Sequence, residues 1–156
     1  MTTKKVMAII YPKNINNGNV ILYTNVVIDL LGEREEFYDP IAKIVSLADK
    51  GKIKITVSAL TYSTVFYVLS RFESKEIVKE KIRKFKTIAK TADLTDKIID
   101  KGLSSKFGDF EDALQYFCAL KTGSSIIITR NEKDFKSSEI PVFNPDEYLS
   151  KLRANS

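Results

Sequence analysis

The sequence predicts an α/β fold with three layers, in which helices flank a central parallel twisted sheet of four to five strands. Short apolar, β-branched segments alternate along the chain with longer segments of helical periodicity, as in doubly wound sheets. The segment Ile126–Ile128 is apolar at every position, which indicates a strand covered on both faces. Glycines at 32, 51 and 123 follow three of the helical segments and mark their ends.

The first half of the chain shows two strand segments among four helical ones. Asp39-Pro40 predicts a helix start, with the aspartate as N-cap and the proline at the first helical position. Ser58 is a candidate N-cap for a segment rich in β-branched residues, which we assign as a helix from its context. The predicted order is a strand at 20–22, a helix at 26–31, a helix from 39 to about 50, a strand at 53–57, and helices at 58–71 and 74–90.

The second half begins with helical patterns at 94–104 and 109–123. The latter is the best-delimited helix of the chain, because acidic residues open it and Lys121 precedes the closing Gly123. A strand at 124–129, a turn at 130–135, an extended piece near 140–143 and a helix opening at Asn144-Pro145 complete the pattern.

Length and composition indicate one domain. The chain has 156 residues, and we expect a leader or extension at 1–19 followed by a single domain at 20–156. No apolar run reaches the ~20 residues that span a bilayer. The single cysteine, Cys118, lies in an apolar run and is expected to be a buried hydrophobic residue. These features predict a cytoplasmic protein that does not enter a membrane.

The absence of histidine excludes imidazole-dependent nucleophilic catalysis and histidine-based zinc sites. Carboxylate, lysine, tyrosine and hydroxyl chemistry remains. The net charge of +5 would favour a polyanion such as RNA or DNA. Charge alone leaves nucleic-acid binding and simple solubility equally open.

Ligands of open parallel sheets bind outside the carboxyl ends of the strands. Asp109, Glu111 and Asp112 lie within one helical turn, and Asp134 follows the strand at 124–129. One such acid is explained by capping and by the helix dipole. If all four converge, their like charges call for a cation such as Mg²⁺.

Four segments of the chain form an ordered set of motifs: Tyr23–Leu31, Ser58–Thr61, Phe110–Gln115 and Thr129–Phe135. Taken together, they resemble the motifs of the PIN domain family, and of its VapC-like toxins in particular. The resemblance covers roughly residues 20–152. It implies a parallel sheet between helices and an endoribonuclease that depends on Mg²⁺ or Mn²⁺. It also implies a homodimer, an antitoxin protein as partner and RNA as substrate.

The resemblance assigns roles to individual residues of this chain. The third family acid falls on Asp112, with Asp109 just ahead of it, and the fourth region falls on Asn131 and Asp134. These four are the candidate catalytic residues, and Asp112, Asp134 and Asn131 are the candidate metal ligands. The positions that orient ligands or water are Asn25, Ser58 and Thr129. The candidate RNA contacts are Arg130, Lys133 and Lys84. Lys84 lies on the lysine-rich helix predicted at 74–90, whose charged side is explained equally well as a solvated face.

Two positions depart from the family pattern. The first family aspartate is Tyr23 here, and a neutral phenol is a poor ligand for a hard cation. The second family acid aligns with Thr64. Asp29 lies one turn further along the first helix and does not obviously replace the missing acid, since it is equally well explained as a surface residue.

Three functions therefore stay open. The first is a PIN-type ribonuclease with weakened or lost activity, and the second is an inactive PIN domain that binds RNA or a protein. The third, a phosphoacceptor receiver domain, is disfavoured because the acids that it needs at the strand ends are missing.

Overall fold

The computed structural model describes residues 18–154, and within them five parallel strands form one sheet in the order β3-β2-β1-β4-β5. The strands are β1 (Asn19–Leu22), β2 (Lys54–Ser58), β3 (Ala89–Ala92), β4 (Ile126–Ile128) and β5 (Val142–Phe143). The helices are α1 (Thr24–Leu31), α2 (Tyr38–Asp49), α3 (Ala59–Leu69), α4 (Lys75–Phe85), α5 (Asp96–Leu103), α6 (Phe110–Lys121) and α7 (Pro145–Ala154). The predicted three-layer α/β class is confirmed.

The central strand β1 is covered on both faces, as its apolar sequence predicts. Val20 lies opposite Ile55 of β2 and Ile126 of β4 in the register. Because successive side chains of a strand point to opposite faces, Val20 and Leu22 pack with α1 to α4 and α7, whereas Ile21 packs with α5 and α6. The core between the sheet and α1 to α4 and α7 includes Val27, Ile41, Val65, Val78 and Tyr148. The core on the opposite face, against α5 and α6, includes Ile98, Leu114, Cys118 and Ile127.

The predicted helix at 74–90 is wrong in its last part. The helix α4 ends at Phe85, and Ala89–Ala92 forms the edge strand β3, which pairs with Ile55–Ser58 of β2. The sequence of β3 contains two alanines and a lysine, which have low strand propensity. The backbone ladder with β2 and the burial of Ala89 and Ala92 therefore decide its conformation.

The helix starts test the capping predictions. Ser58 caps α3 by accepting a hydrogen bond from the backbone N–H of Leu60, and Asp109 caps α6 by accepting one from Asp112. Asp39 does not cap α2, because that helix begins one residue earlier, at Tyr38. Gly123 follows α6 with φ of +68°, a left-handed conformation that glycine adopts without strain.

The leader predicted at 1–19 lies outside the described residues except for Gly18 and for Asn19, which opens β1. Cys118 is buried, as predicted. None of the helices described is long and apolar enough to cross a membrane.

Candidate active site

Tyr23 lies directly after β1, at the centre of the carboxyl edge of the sheet. Its backbone N–H donates to the carbonyl of Ile128 in β4, 2.9 Å away, which continues the sheet by one residue. Its ring meets Phe135 edge-on, with centroids 5.5 Å apart. Its hydroxyl donates a hydrogen bond to Oδ1 of Asp112 in α6. The two residues that the resemblance assigned to the first and third family acids, Tyr23 and Asp112, are therefore in contact.

Asp112 is the buried acid of this edge, with only 4% of its surface exposed. The pKa of its carboxyl is raised to about 6, mainly by burial and in smaller part by the charges of Asp109, Asp134 and Glu111. The hydrogen bond from Tyr23 acts in the opposite direction, because it stabilises the carboxylate. Burial and the same cluster of acids raise the pKa of the Tyr23 phenol, so the phenol stays protonated at neutral pH.

Asp109 and Asp134 are exposed, Glu111 is half-buried, and all three act on Asp112 at longer range through their charge. Asp109 accepts the backbone N–H of Asp112 at 3.0 Å, which places its carboxylate at the start of α6. Asp134 lies in the short 3₁₀ helix Glu132–Phe135. An open cavity of about 620 Å³ is lined by Arg130–Asp134 and therefore contains Asn131 and Asp134.

Asn25 and Thr129 connect α1 to the end of β4. The side-chain amide of Asn25 donates to Oγ1 of Thr129 at 3.2 Å, and its Oδ1 accepts the backbone N–H of Arg130 at 3.3 Å. The same Thr129 oxygen accepts the backbone N–H of Asn131 at 3.1 Å. The side chains of Asn25 and Thr129 thus bind the backbone of the segment that carries Asn131.

The comparison with known families identifies the family of this fold. The sequence profile of the PIN domain matches residues 19–133. The chain belongs to the PIN domain family. The match begins with β1 and ends within the 3₁₀ helix, so it includes Tyr23, Asp112 and Asn131.

Individual PIN proteins extend the comparison over most of the chain. Ribonuclease VapC1 of Aquifex aeolicus (strain VF5) is 29% identical over 140 residues, which cover 87% of this chain and 96% of that protein. VapBC2 from Rickettsia felis, in a structure bound to a DNA fragment from its promoter, superposes with a TM-score of 0.61 at 18% identity, covering 81% and 97% of the two chains. A toxin–antitoxin complex from Klebsiella pneumoniae gives 0.60 at 20% identity, with the same coverage. At these identities the structures share the fold.

The acids of this PIN domain do not form a complete metal centre. Within residues 18–154, no three acidic, cysteine or histidine side chains are arranged so that they could hold a metal ion. The Tyr23 hydroxyl also engages one oxygen of Asp112, and a phenol that stays protonated is a weak ligand for a hard cation. The predicted ligands Asp112, Asp134 and Asn131 thus do not fit Mg²⁺ or Mn²⁺ while the Tyr23 hydroxyl occupies this edge.

The other predicted site residues contribute little to this cluster. Ser58 is buried as the cap of α3, and Thr64 bonds back to the carbonyl of Leu60 in its own helix at 3.4 Å. Lys133 lines the cavity of Asn131 and Asp134, whereas Lys84 is exposed on α4.

A buried polar network beneath the site is absent from the sequence-based prediction. The hydroxyls of Thr24 and Thr61 are hydrogen-bonded to each other at 2.9 Å, and the side-chain amide of Gln115 donates to Thr61 at 3.0 Å. Thr24 also donates to the carboxylate of Glu111 at 3.1 Å. These contacts tie α1, α3 and α6 together behind Asp112. A polar Gln115 within the apolar stretch of α6 is the signal that could have revealed it.

Asp29 is not a surface acid. It is 1% exposed and accepts two hydrogen bonds from the guanidinium of Arg130, at 2.5 and 3.3 Å. Arg34 approaches the same carboxylate at 3.4 Å. Arg130, a predicted RNA contact, is therefore committed to a buried partner. Asp29 lies within the apolar segment Val26–Leu31, and this position is the signal in the sequence that could have indicated its burial.

Proposed function

We propose that this PIN domain is a ribonuclease of the toxin type whose cleavage activity is weakened by Tyr23. The family match and the relationship to Ribonuclease VapC1 support the ribonuclease ancestry. The single observation that carries the weakened activity is the hydrogen bond from the Tyr23 hydroxyl to Asp112. The resemblance assigns a carboxylate to position 23, and the phenol found there is neutral and protonated.

The chemistry that remains is that of an acidic cluster without its full set of acids. Asp112 is held by Tyr23, and Asp109, Asp134 and Asn131 are exposed around it. An aspartate at position 23 would add a carboxylate next to Asp112 and remove the phenol. The cluster would then need a divalent cation, Mg²⁺ or Mn²⁺, to offset its charge. The proposed defect is therefore one missing ligand.

The proposed RNA contacts are cations at the edge of this cluster. Lys133 lines the cavity that holds Asn131 and Asp134, so a phosphate in that cavity would lie within its reach. Lys84 belongs to the strongly basic helix α4 and would act at a distance, through the positive potential of that helix. Arg130 also lines this cavity, but its guanidinium pairs with Asp29, so we assign the phosphate contact to Lys133 first.

We also propose an antitoxin protein as the partner, and a homodimer, for a protein that acts in the cytoplasm. The support is the match to proteins solved as toxin–antitoxin complexes. Light scattering of the purified chain measures whether it dimerises. Coexpression with the product of the neighbouring gene tests the antitoxin.

A second candidate function is a PIN domain that binds RNA or protein without cleaving RNA. It is favoured by the lack of any three-acid metal arrangement among residues 18–154. The two functions share the fold and differ in whether the acids at the strand ends can support hydrolysis.

An RNA cleavage assay separates these functions. The native chain and the Tyr23→Asp variant are incubated with end-labelled single-stranded RNA in Mg²⁺, in Mn²⁺ and in EDTA. We expect little cleavage by the native chain. The variant should cleave at least about tenfold faster with Mg²⁺ or Mn²⁺, which corresponds to about 1.4 kcal/mol in the barrier, and EDTA should abolish the gain.

The matched control is Tyr67→Asp, which makes the same substitution at a tyrosine on α3 that is 63% exposed. This control should behave as the native chain does. RNA binding without cleavage by the native chain and Tyr23→Asp alike would support the binding module. Equal metal-dependent cleavage by the two would show that position 23 does not supply a ligand.

A further inference from the structure

One face of helix α1 binds both the backbone and the side chain of Arg130. Asn25 and Asp29 are four residues apart, so they lie on the same side of the helix. Asn25 accepts the backbone N–H of Arg130 at 3.3 Å, and Asp29 accepts the guanidinium at 2.5 and 3.3 Å. The backbone and the side chain of one residue are thus fixed to a single helical element.

The guanidinium of Arg130 has a defined environment beyond this ion pair. It lies over the ring of Phe37, with 4.1 Å between the guanidinium carbon and the ring centroid. Arg34 contacts both partners, through an ion pair with Asp29 at 3.4 Å and over the Phe37 ring at 5.6 Å. Bidentate pairing and stacking restrict an arginine strongly. The exposed acids Glu33, Glu35 and Glu36 beside Arg34 make this face a poor site for a phosphate.

The residue fixed in this way is adjacent to the predicted site. Arg130 immediately precedes Asn131, whose carbonyl accepts the backbone N–H of Asp134 at 3.1 Å. Thr129 on the other side is held by Asn25 and by the carbonyl of Phe143. The position of Asn131 and Asp134 relative to Tyr23 and Asp112 therefore depends on how α1 holds Arg130.

We propose that Asp29 is a positioning residue of this site. Through Arg130, it fixes the segment that carries Asn131 and Asp134 against the end of β1. It touches neither of those side chains and acts only through its arginine partner. The part of this inference that concerns catalysis rests on the proposed ribonuclease function, whereas the structural part stands by itself.

The test uses a double variant because a single one could unfold the chain. Removing only one charge would leave the other buried and unpaired, so Asp29→Asn/Arg130→Met removes both. The control is Glu80→Gln/Arg83→Met, which neutralises an exposed ion pair within α4 and leaves α1 untouched. Each variant is compared with the native chain by amide hydrogen exchange.

We expect the amides of Arg130, Asn131 and Asp134 to exchange about tenfold faster in the Asp29→Asn/Arg130→Met variant, because local opening becomes easier. The control variant should leave these three amides unchanged. Unchanged exchange in the Asp29→Asn/Arg130→Met variant, or equal acceleration in both variants, would overturn the positioning role.

A kinetic readout follows in the Tyr23→Asp background. There the Asp29→Asn/Arg130→Met change should lower kcat about tenfold or more while KM for the RNA stays within about threefold, because misplaced groups affect the reacting geometry. An unchanged kcat would overturn the catalytic part. If Tyr23→Asp cleaves no RNA, the proposed function fails, and the exchange experiment still decides the positioning role.

Discussion

The hydroxyl of Tyr23 donates a hydrogen bond to Oδ1 of Asp112, across 89 positions of sequence. The contact joins the first residue after β1 to the first turn of α6. It pairs a phenol and a carboxyl whose pKa values are both raised by burial. The chemistry of this edge therefore depends on the protonation of Asp112, which can be measured.

Removing the Tyr23 hydroxyl should raise the pKa of Asp112 above its value of about 6. The hydrogen bond favours the charged carboxylate, so Tyr23→Phe removes a stabilising contact from that form only. The carboxyl carbon of Asp112, followed by NMR through a pH titration, reports the change. Tyr67→Phe, at an exposed tyrosine, is the control and should leave the titration of Asp112 as it is. A lower pKa in Tyr23→Phe would contradict the assigned direction.

Asp112 should make the protein less stable as pH rises from about 4 to about 6. Its folded pKa is raised from 3.8 to about 6, so the folded state binds more protons than the unfolded state in this window, and stability falls with pH. The shift of about two pH units corresponds to at most about 3 kcal/mol.

Asp112→Asn should remove this dependence. We compare the free energy of unfolding of the variant with that of the native chain at each pH. The variant should gain about 1–3 kcal/mol on the native chain between pH 4 and pH 7. Urea unfolding at the two pH values measures the free energies. The control is Asp100→Asn, at an exposed acid of α5. Because it keeps Asp112, its free energy of unfolding should change between the two pH values as that of the native chain does. An identical pH dependence in Asp112→Asn and the native chain would refute the burial effect.

The buried network behind the site should be costly to break. Thr61 is fully buried, and its hydroxyl bonds with both Thr24 and Gln115. Thr61→Val keeps the shape of the side chain but leaves the Gln115 amide poorly satisfied, at a cost of about 1–3 kcal/mol. Urea unfolding measures this cost. Thr87→Val, at an exposed threonine, should change stability by no more than about 0.5 kcal/mol. Equal effects of the two substitutions would argue against the network.

Lys133 should contribute one phosphate contact to RNA binding. Lys133→Gln is expected to weaken the binding of a single-stranded RNA and to reduce the slope of log K against log salt by about 0.7. Fluorescence anisotropy in EDTA at several salt concentrations measures both quantities without cleavage. Lys50→Gln removes the same charge after α2, in the loop that precedes β2. If both variants change the slope equally, Lys133 acts only through net charge.

Local sequence determined much of the fold. The apolar run Ile126–Ile128 indicated a strand buried on both faces, and Ser58 and Asp109 marked helix starts that the structure contains. These signals are local because periodicity and capping depend on residues within one or two turns. The motifs at the strand ends also indicated the PIN family, which the profile match confirms.

Tertiary structure decided the features that depend on distant partners. Ala89–Ala92 is a strand because β2 lies beside it, although its sequence does not favour one. Asp29 is buried because Arg130, 101 positions away, satisfies its charge. Tyr23 meets Asp112 because the strand order places the end of β1 next to the start of α6. Sequence spacing reports which side of an element is apolar, whereas the partner of a buried polar group is set by the packing of elements far apart in the chain.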